Sequence, residues 1–374
     1  MSMSHPAQVA IMLAAGSPFM FAGLPAVAQP AMTFSGTSAS DKPPASMPST
    51  AAIPANAPDM QSVLDAQAKL GAKPIEALTP RAARKQPTPA DGVKAVMKQR
   101  KMPTAPEPGI STSTRSYGAA SEEKLRIYTP DGAKSAGAHP TIVYYHGGGW
   151  VIADLDTYDA TPRYLAKQLN AIVVSVEYRH APEAKFPAQH EDAALAYGWV
   201  LKNAKAWNID PSKIALAGES AGGNLAVATA IYARDHQMQA PVALLSIYPI
   251  ANSEMSLPAK VENGNTKPLN TAMLNWFTHY WARSASDVQD PRINLVKADL
   301  RGLPPTTIVN AQNDPLRSDG ETLAAAMKAT GVSVEQRTFP NVTHEFFGMG
   351  AVVQGAAEAE AYAVQRLKPA LAAK

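Results

Sequence analysis

A chain of 374 residues, 46% hydrophobic and 17% charged, has the length of one large domain or two small ones. Its 34 Lys and Arg against 31 Asp and Glu leave a net charge of +3, too dilute to argue for a nucleic-acid partner. The absence of cysteine excludes disulfides, iron–sulfur clusters and a thiol nucleophile, and 32 prolines with 23 glycines argue against coiled coils and long helical arrays.

Residues 9–28 are mostly apolar, broken by Gly16, Pro18, Gly23 and Pro25, and Ala26-Val27-Ala28 offers a small-x-small cleavage pattern. Residues 1–28 are therefore predicted to be a secretory signal, although no Lys or Arg precedes the apolar core. A periplasmic or secreted protein is expected, and a cytoplasmic one if this segment is not a signal. Residues 29–60, rich in Pro, Ser and Ala, have too little apolar surface to offset their ordering entropy and read as a disordered linker. From residue 61 the pattern changes. Val63, Leu64 and Leu70 predict a helix ended by Gly71 and Pro74, and 91–101 is a second, with Val93, Val96 and Met97 on one side. Arg81, Arg84, Lys85, Lys94, Lys98, Arg100 and Lys101 face a single Asp91 over 81–101. A solvated helix face is the expectation here, ahead of a membrane-surface helix. No apolar run is long enough for stable membrane insertion.

Beyond residue 124, short β-rich runs alternate with helical stretches. Strands are predicted at 125–128, 141–145, 171–177, 213–217, 242–248, 306–310 and 332–339. Helical patterns lie near 157–169, 188–204, 221–235, 318–330 and 354–371. The run Ile172-Val173-Val174-Ser175-Val176 is apolar enough to be buried on both faces. The alternation predicts an α/β fold with a mostly parallel sheet flanked by helices. An insertion at 252–285 carries an aromatic helix from 270 to 281.

The most informative stretch is Gly218-Glu219-Ser220-Ala221-Gly222, between a strand and a helix of small residues. Such a turn lifts the Ser220 hydroxyl above the sheet edge, and the two glycines remove side chains that would collide across it. A hydroxyl needs a base, and the base an orienting acid. Of the histidines after Ser220, His236 ends the outgoing helix and His279 lies in the aromatic insertion. His344 follows the last strand, where a parallel sheet collects its catalytic groups, and is the expected base. Asp314, just after strand 306–310, is the expected acid. Asp319 is the competitor, but suits the first turn of the next helix. The string His146-Gly147-Gly148-Gly149-Trp150 ends another strand. Its glycines leave N–H groups uncovered, so Gly147 and Gly148, with Ala221 after the nucleophile, are the expected oxyanion-hole donors, and His146 a brace for the loop. A phosphate cradle is disfavoured, because no P-loop or dinucleotide fingerprint accompanies the glycines.

These motifs, with Glu177-Tyr178-Arg179-His180-Ala181-Pro182-Glu183, Asp210-Pro211-Ser212-Lys213-Ile214, Asp314-Pro315-Leu316 and His344-Glu345-Phe346, make the chain resemble the hormone-sensitive-lipase family of α/β-hydrolases, in its bacterial acetyl esterase and carboxylesterase branch. Two departures stand out: His180 where Leu is commoner, and Glu219 where Asp or Thr is usual. The resemblance implies an eight-stranded sheet with one antiparallel member in a catalytic domain over 111–374. It also implies a helical cap built from 61–110 and a second segment at 252–285. The expected activity is hydrolysis of short-chain, acetyl-like esters by a Ser220–His344–Asp314 triad through an acyl-enzyme, on a small-molecule ester substrate, with no metal or organic cofactor. Trp150, Tyr178, Trp276 and Phe277 are candidate pocket residues, each as well suited to core packing. An amidase or deacetylase using the same triad is the alternative reading. A non-catalytic receptor on the same fold is disfavoured, because all three triad members are kept. A homodimer is compatible with these features, but no residue pattern specifies one.

Overall fold

Strands apolar on both faces stand stably only inside a sheet that is covered on both sides. The computed structural model describes residues 54–372 apart from 107, 135 and 136, and there such runs, with a polar strand at one edge, build one eight-stranded sheet. The strands are β1 (Ile110–Ser116), β2 (Lys124–Pro130), β3 (His139–Tyr145), β4 (Ile172–Glu177), β5 (Ile209–Glu219), β6 (Ala243–Ile247), β7 (Thr306–Asn313) and β8 (Val334–Thr343). Their spatial order is β1-β2-β4-β3-β5-β6-β7-β8. β2 is antiparallel to both its neighbours, and the pairs from β4 to β8 are all parallel. This is the α/β sheet with one antiparallel member that the family resemblance implied. The predicted signal at 1–28, and the linker as far as residue 53, lie outside the described residues.

The helices are α1 (Pro58–Lys69), α2 (Pro80–Ala83), α3 (Pro89–Gln99), α4 (Ala160–Leu169), α5 (Ala188–Asn203), α6 (Ala221–Asp235), α7 (Pro258–Glu262), α8 (Thr271–Trp281), α9 (Arg317–Ala329) and α10 (Gln354–Ala372). The pleat divides the core in two. β3 sends Val143 and Tyr145 toward the layer of α5, α6 and α9, and Ile142 and Tyr144 toward that of α4 and α10. α1 begins before the expected linker boundary, with Met60 fully buried in the second layer.

Local chemistry accounts for the helix starts near the site. In α3, Pro89 occupies the first turn and Thr88 and Asp91 form a reciprocal capping box. In α8, the Asn270 side chain accepts from Met273 N at 2.7 Å. Gly92 lets α3 close on α1, since a Cβ there would fall 2.8 Å from Val63 O. Of the basic run, Lys94 and Lys98 are solvated as expected, whereas Arg84 is engaged. Its guanidinium donates to Val151 O (2.8 Å), Ala181 O (2.7 Å) and the Glu183 carboxylate (2.7 and 2.8 Å). The strand missed by sequence reasoning is β1. It is a polar edge strand, exposed along nearly its whole length, so it carries no apolar alternation to read. Among the described residues no helix is long and apolar enough to cross a membrane.

Candidate active site

β5 ends at Glu219, and Ser220 turns the chain into α6 with φ 56° and ψ −117°. A non-glycine residue in such a region costs about 1–3 kcal/mol, and the surroundings must enforce it. They do so by contact. A Cβ on Gly218 would lie 2.1 Å from Gly222 O, and one on Gly222 would lie 2.0 Å from Tyr145 O. Ser220 N donates to Ile247 O at 2.8 Å, which ties the turn to β6. The first backbone bond of α6 runs from Asn224 N to Ser220 O, so the amide of Ala221 precedes the helical ladder and has no partner within it.

Two loops at the C-terminal ends of β7 and β8 complete the arrangement. His344 Nε2 stands 2.9 Å from Ser220 Oγ, and His344 Nδ1 stands 2.7 Å from Asp314 Oδ2. The other oxygen, Asp314 Oδ1, accepts from Leu316 N at 2.8 Å, so the carboxylate cannot rotate freely. All three side chains are buried. Burial opposes charge on His344, yet the Asp314 carboxylate beside it holds the imidazole above its ordinary range. The competitors are elsewhere. His236 stacks on Tyr232 at the surface, and His279 is exposed beside Tyr280. Asp319 lies in the first turn of α9, but as a fully buried group rather than a solvated one. It accepts from Ala251 N and Asn252 N and pairs with Lys260 Nζ at 3.0 Å.

The glycine loop after β3 lies beside Ser220. Gly148 (φ 97°) and Gly149 (φ 58°) take left-handed conformations and line a cavity of about 470 Å³ together with Ser220 and His344. His146 is fully buried behind this loop, with Nδ1 2.8 Å from Gly147 O and its ring stacked on Tyr178 at 4.4 Å. Of the four candidate pocket aromatics, Phe277 lines the cavity, its ring filling the space where a Gly149 Cβ would stand. Trp150, Tyr178 and Trp276 are packing residues. Trp150 is edge-on to Trp281, Tyr178 donates to His146 O at 2.9 Å, and Trp276 Nε1 donates to Leu78 O at 2.9 Å.

Sequence reasoning gave no role to two carboxylates here, although it noted Glu219 as a departure from the family and Glu345 within a family motif. Glu345 (φ 67°) lines the cavity and accepts from Tyr158 Oη at 2.6 Å, while that hydroxyl packs on Gly147. Glu219 is buried behind Ser220 and accepts from Tyr144 Oη (2.5 Å) and Tyr248 Oη. Burial pushes its carboxyl up to about 7. Those positions beside Ser220 and His344 were signals, but they did not show where the carboxylates point. A third cluster gathers His146, Glu177 and His180. No metal was expected, because a serine-hydrolase mechanism needs none.

A family model described as the α/β-hydrolase fold matches residues 142–348, more than half of the chain. The chain belongs to the hormone-sensitive-lipase family of α/β-hydrolases. It is 39% identical over 294 residues to carboxylesterase NlhH of Mycobacterium tuberculosis, covering 76% of this chain and 91% of that one. It is 32% identical to an ethyl acetate hydrolase of Pseudomonas putida, over 65% of this chain and 77% of that one. Among solved structures, a hyperthermophilic esterase from Pyrobaculum calidifontis aligns with a TM-score of 0.74 and 31% identity, over 85% of this chain and all of that one.

Proposed function

We propose that this α/β-hydrolase is a serine carboxylesterase acting on short-chain, acetyl-like esters. The observation that carries the reading is the unbroken run from Asp314 through His344 to Ser220 Oγ, at 2.7 and 2.9 Å. Ser220 Oγ attacks the ester carbonyl as His344 Nε2 takes its proton, and Asp314 orients the imidazole and stabilises its charged form. The amides of Gly147, Gly148 and Ala221 receive the oxyanion, each worth about 3–4 kcal/mol of barrier. His344 then protonates the leaving alcohol. Water, activated by the same imidazole, attacks the acyl-enzyme and releases the acid, so protons and charge return to their starting positions.

The short-chain preference is supported by Phe277 against Gly149 and by the chemistry in the relatives' names, ethyl acetate hydrolase and acetyl esterase. The segments 61–110 and 252–285 act as the cap. They meet over the cavity through Asn270 Nδ2 to Glu76 Oε1 (3.0 Å) and Trp276 Nε1 to Leu78 O.

The test is hydrolysis of p-nitrophenyl esters of increasing acyl length, in parallel with an anilide. Wild-type protein should favour acetate or butyrate over the anilide. Ser220→Ala should lose roughly four orders of magnitude of kcat or more. Undiminished turnover by Ser220→Ala would overturn the triad. Preference for acyl chains beyond about ten carbons, each methylene adding apolar contact, would overturn the short-chain reading.

A further inference from the structure

The loop after β3 and the end of β4 bring three ligand-type side chains together, outside the Ser220–His344–Asp314 run. Glu177 Oε1 stands 3.7 Å from His146 Nε2 and 3.7 Å from His180 Nδ1, and the three ligand atoms lie within 4.8 Å of one another. At 3.7 Å neither contact is a hydrogen bond, which requires about 2.7–3.2 Å. Two ligands of one tetrahedral ion, with bonds of about 2.0–2.1 Å, stand about 3.3–3.4 Å apart, so small side-chain rotations close the difference.

The outer contacts of His146 and Glu177 suit ligation. His146 Nδ1 faces Gly147 O at 2.8 Å, which places the proton on Nδ1 and the lone pair on Nε2. That Nε2 is fully buried and has no hydrogen-bond partner. Glu177 Oε2 is held by Leu155 N at 3.0 Å, leaving Oε1 for the cluster. Glu177 and His180 also line the cavity, which gives an ion a route in. Nearby charge favours a cation. Glu177 and Asp154 put two carboxylate fields at both imidazoles; Arg84, paired with Glu183, opposes them at His180.

We propose that His146, Glu177 and His180 bind a divalent ion of the zinc class, which clamps the glycine loop to the end of β4. Two imidazoles and a carboxylate, borderline nitrogen and hard oxygen donors, suit Zn²⁺ better than Ca²⁺ or Mg²⁺. The ion takes no part in the ester chemistry, and the proposal stands independently of that reading.

The test uses the full chain without added histidines, stripped with a chelator. Calorimetric titration with ZnCl₂ should give one ion per chain and a rise in Tm. CoCl₂ should give the intense visible bands of four-coordinate cobalt. His180→Leu and Glu177→Gln, with metal-free Tm and circular dichroism confirming their fold, should each lose at least about tenfold in affinity, since even outer-shell changes cost that much. His344→Ala should bind zinc like wild type. The proposal is overturned if folded wild type takes up no zinc, if both cluster variants bind it undiminished, or if binding is lost in His344→Ala instead.

Discussion

Replacing Asp314 by Asn probes the site more sharply than removing the carboxylate, because shape is kept and only hydrogen-bonding character changes. In wild type, Oδ1 accepts from Leu316 N and Oδ2 accepts from His344 Nδ1. An amide has one acceptor to serve two donors. If its oxygen faces Leu316 N, its NH₂ faces His344 Nδ1, which must then accept. The imidazole proton moves to Nε2, and His344 donates to Ser220 Oγ instead of taking its proton. If the amide is turned the other way, the tautomer is right but the Leu316 N–H is buried against a second donor, at about 1–3 kcal/mol. The inactive arrangement is thus the ground state. A further about 1–2 kcal/mol goes with the charge-assisted bond to the imidazolium. Together these lower kcat by about 30- to 5,000-fold. The assay is steady-state hydrolysis of p-nitrophenyl acetate, with Tm as a control. A kcat within about threefold of wild type, at unchanged Tm, would refute the tautomer argument.

Three further outcomes are expected. Because Asp314 holds the His344 imidazole above its ordinary range, kcat/KM should rise with pH through a midpoint above about 6.5; a profile flat from pH 5 to 8 counts against His344 as the base. Glu219 ionises near 4.5 unfolded but at about 7 when buried, so the folded state holds its proton more tightly. Its contribution to stability is full below about 4.5 and is lost as pH rises through about 7, by roughly 3 kcal/mol. Glu219→Gln should flatten the urea-measured stability over that window, and an unchanged slope would contradict this. Lys260→Met strands the buried Asp319 carboxylate and should cost about 3–5 kcal/mol in urea unfolding at pH 8. The cost should be smaller at pH 5, because burial already raises Asp319 to about 6 and a proton then replaces the lost charge.

Much of the architecture was legible because it rests on short-range rules. β4 announces itself by an unbroken apolar run, and α6 by its small residues after a Gly-x-Ser-x-Gly turn. Boundaries fared less well. β5 begins at Ile209 rather than 213, since Asp210, Pro211 and Ser212 read as loop, and β1 gives no signal because an edge strand need bury neither face. Asp314 and His344 could be picked out because strand ends in a parallel sheet converge on one rim, a topological rule that needs no contact map.

Sequence alone, then, determined the elements whose chemistry is local. The Ser220 turn exists because Gly218 and Gly222 leave no Cβ in its way, and the glycine loop because residues 147–149 can turn where others cannot. Tertiary structure alone decided which distant groups meet. It put Phe277 on the cavity wall but Trp150, Tyr178 and Trp276 into packing, buried Asp319 against Lys260, and gathered ligand atoms of His146, Glu177 and His180 within 4.8 Å of one another. The reason is that a side chain's type sets what it can bond to, whereas its partner is set by the crossing of strands and loops far apart in the chain.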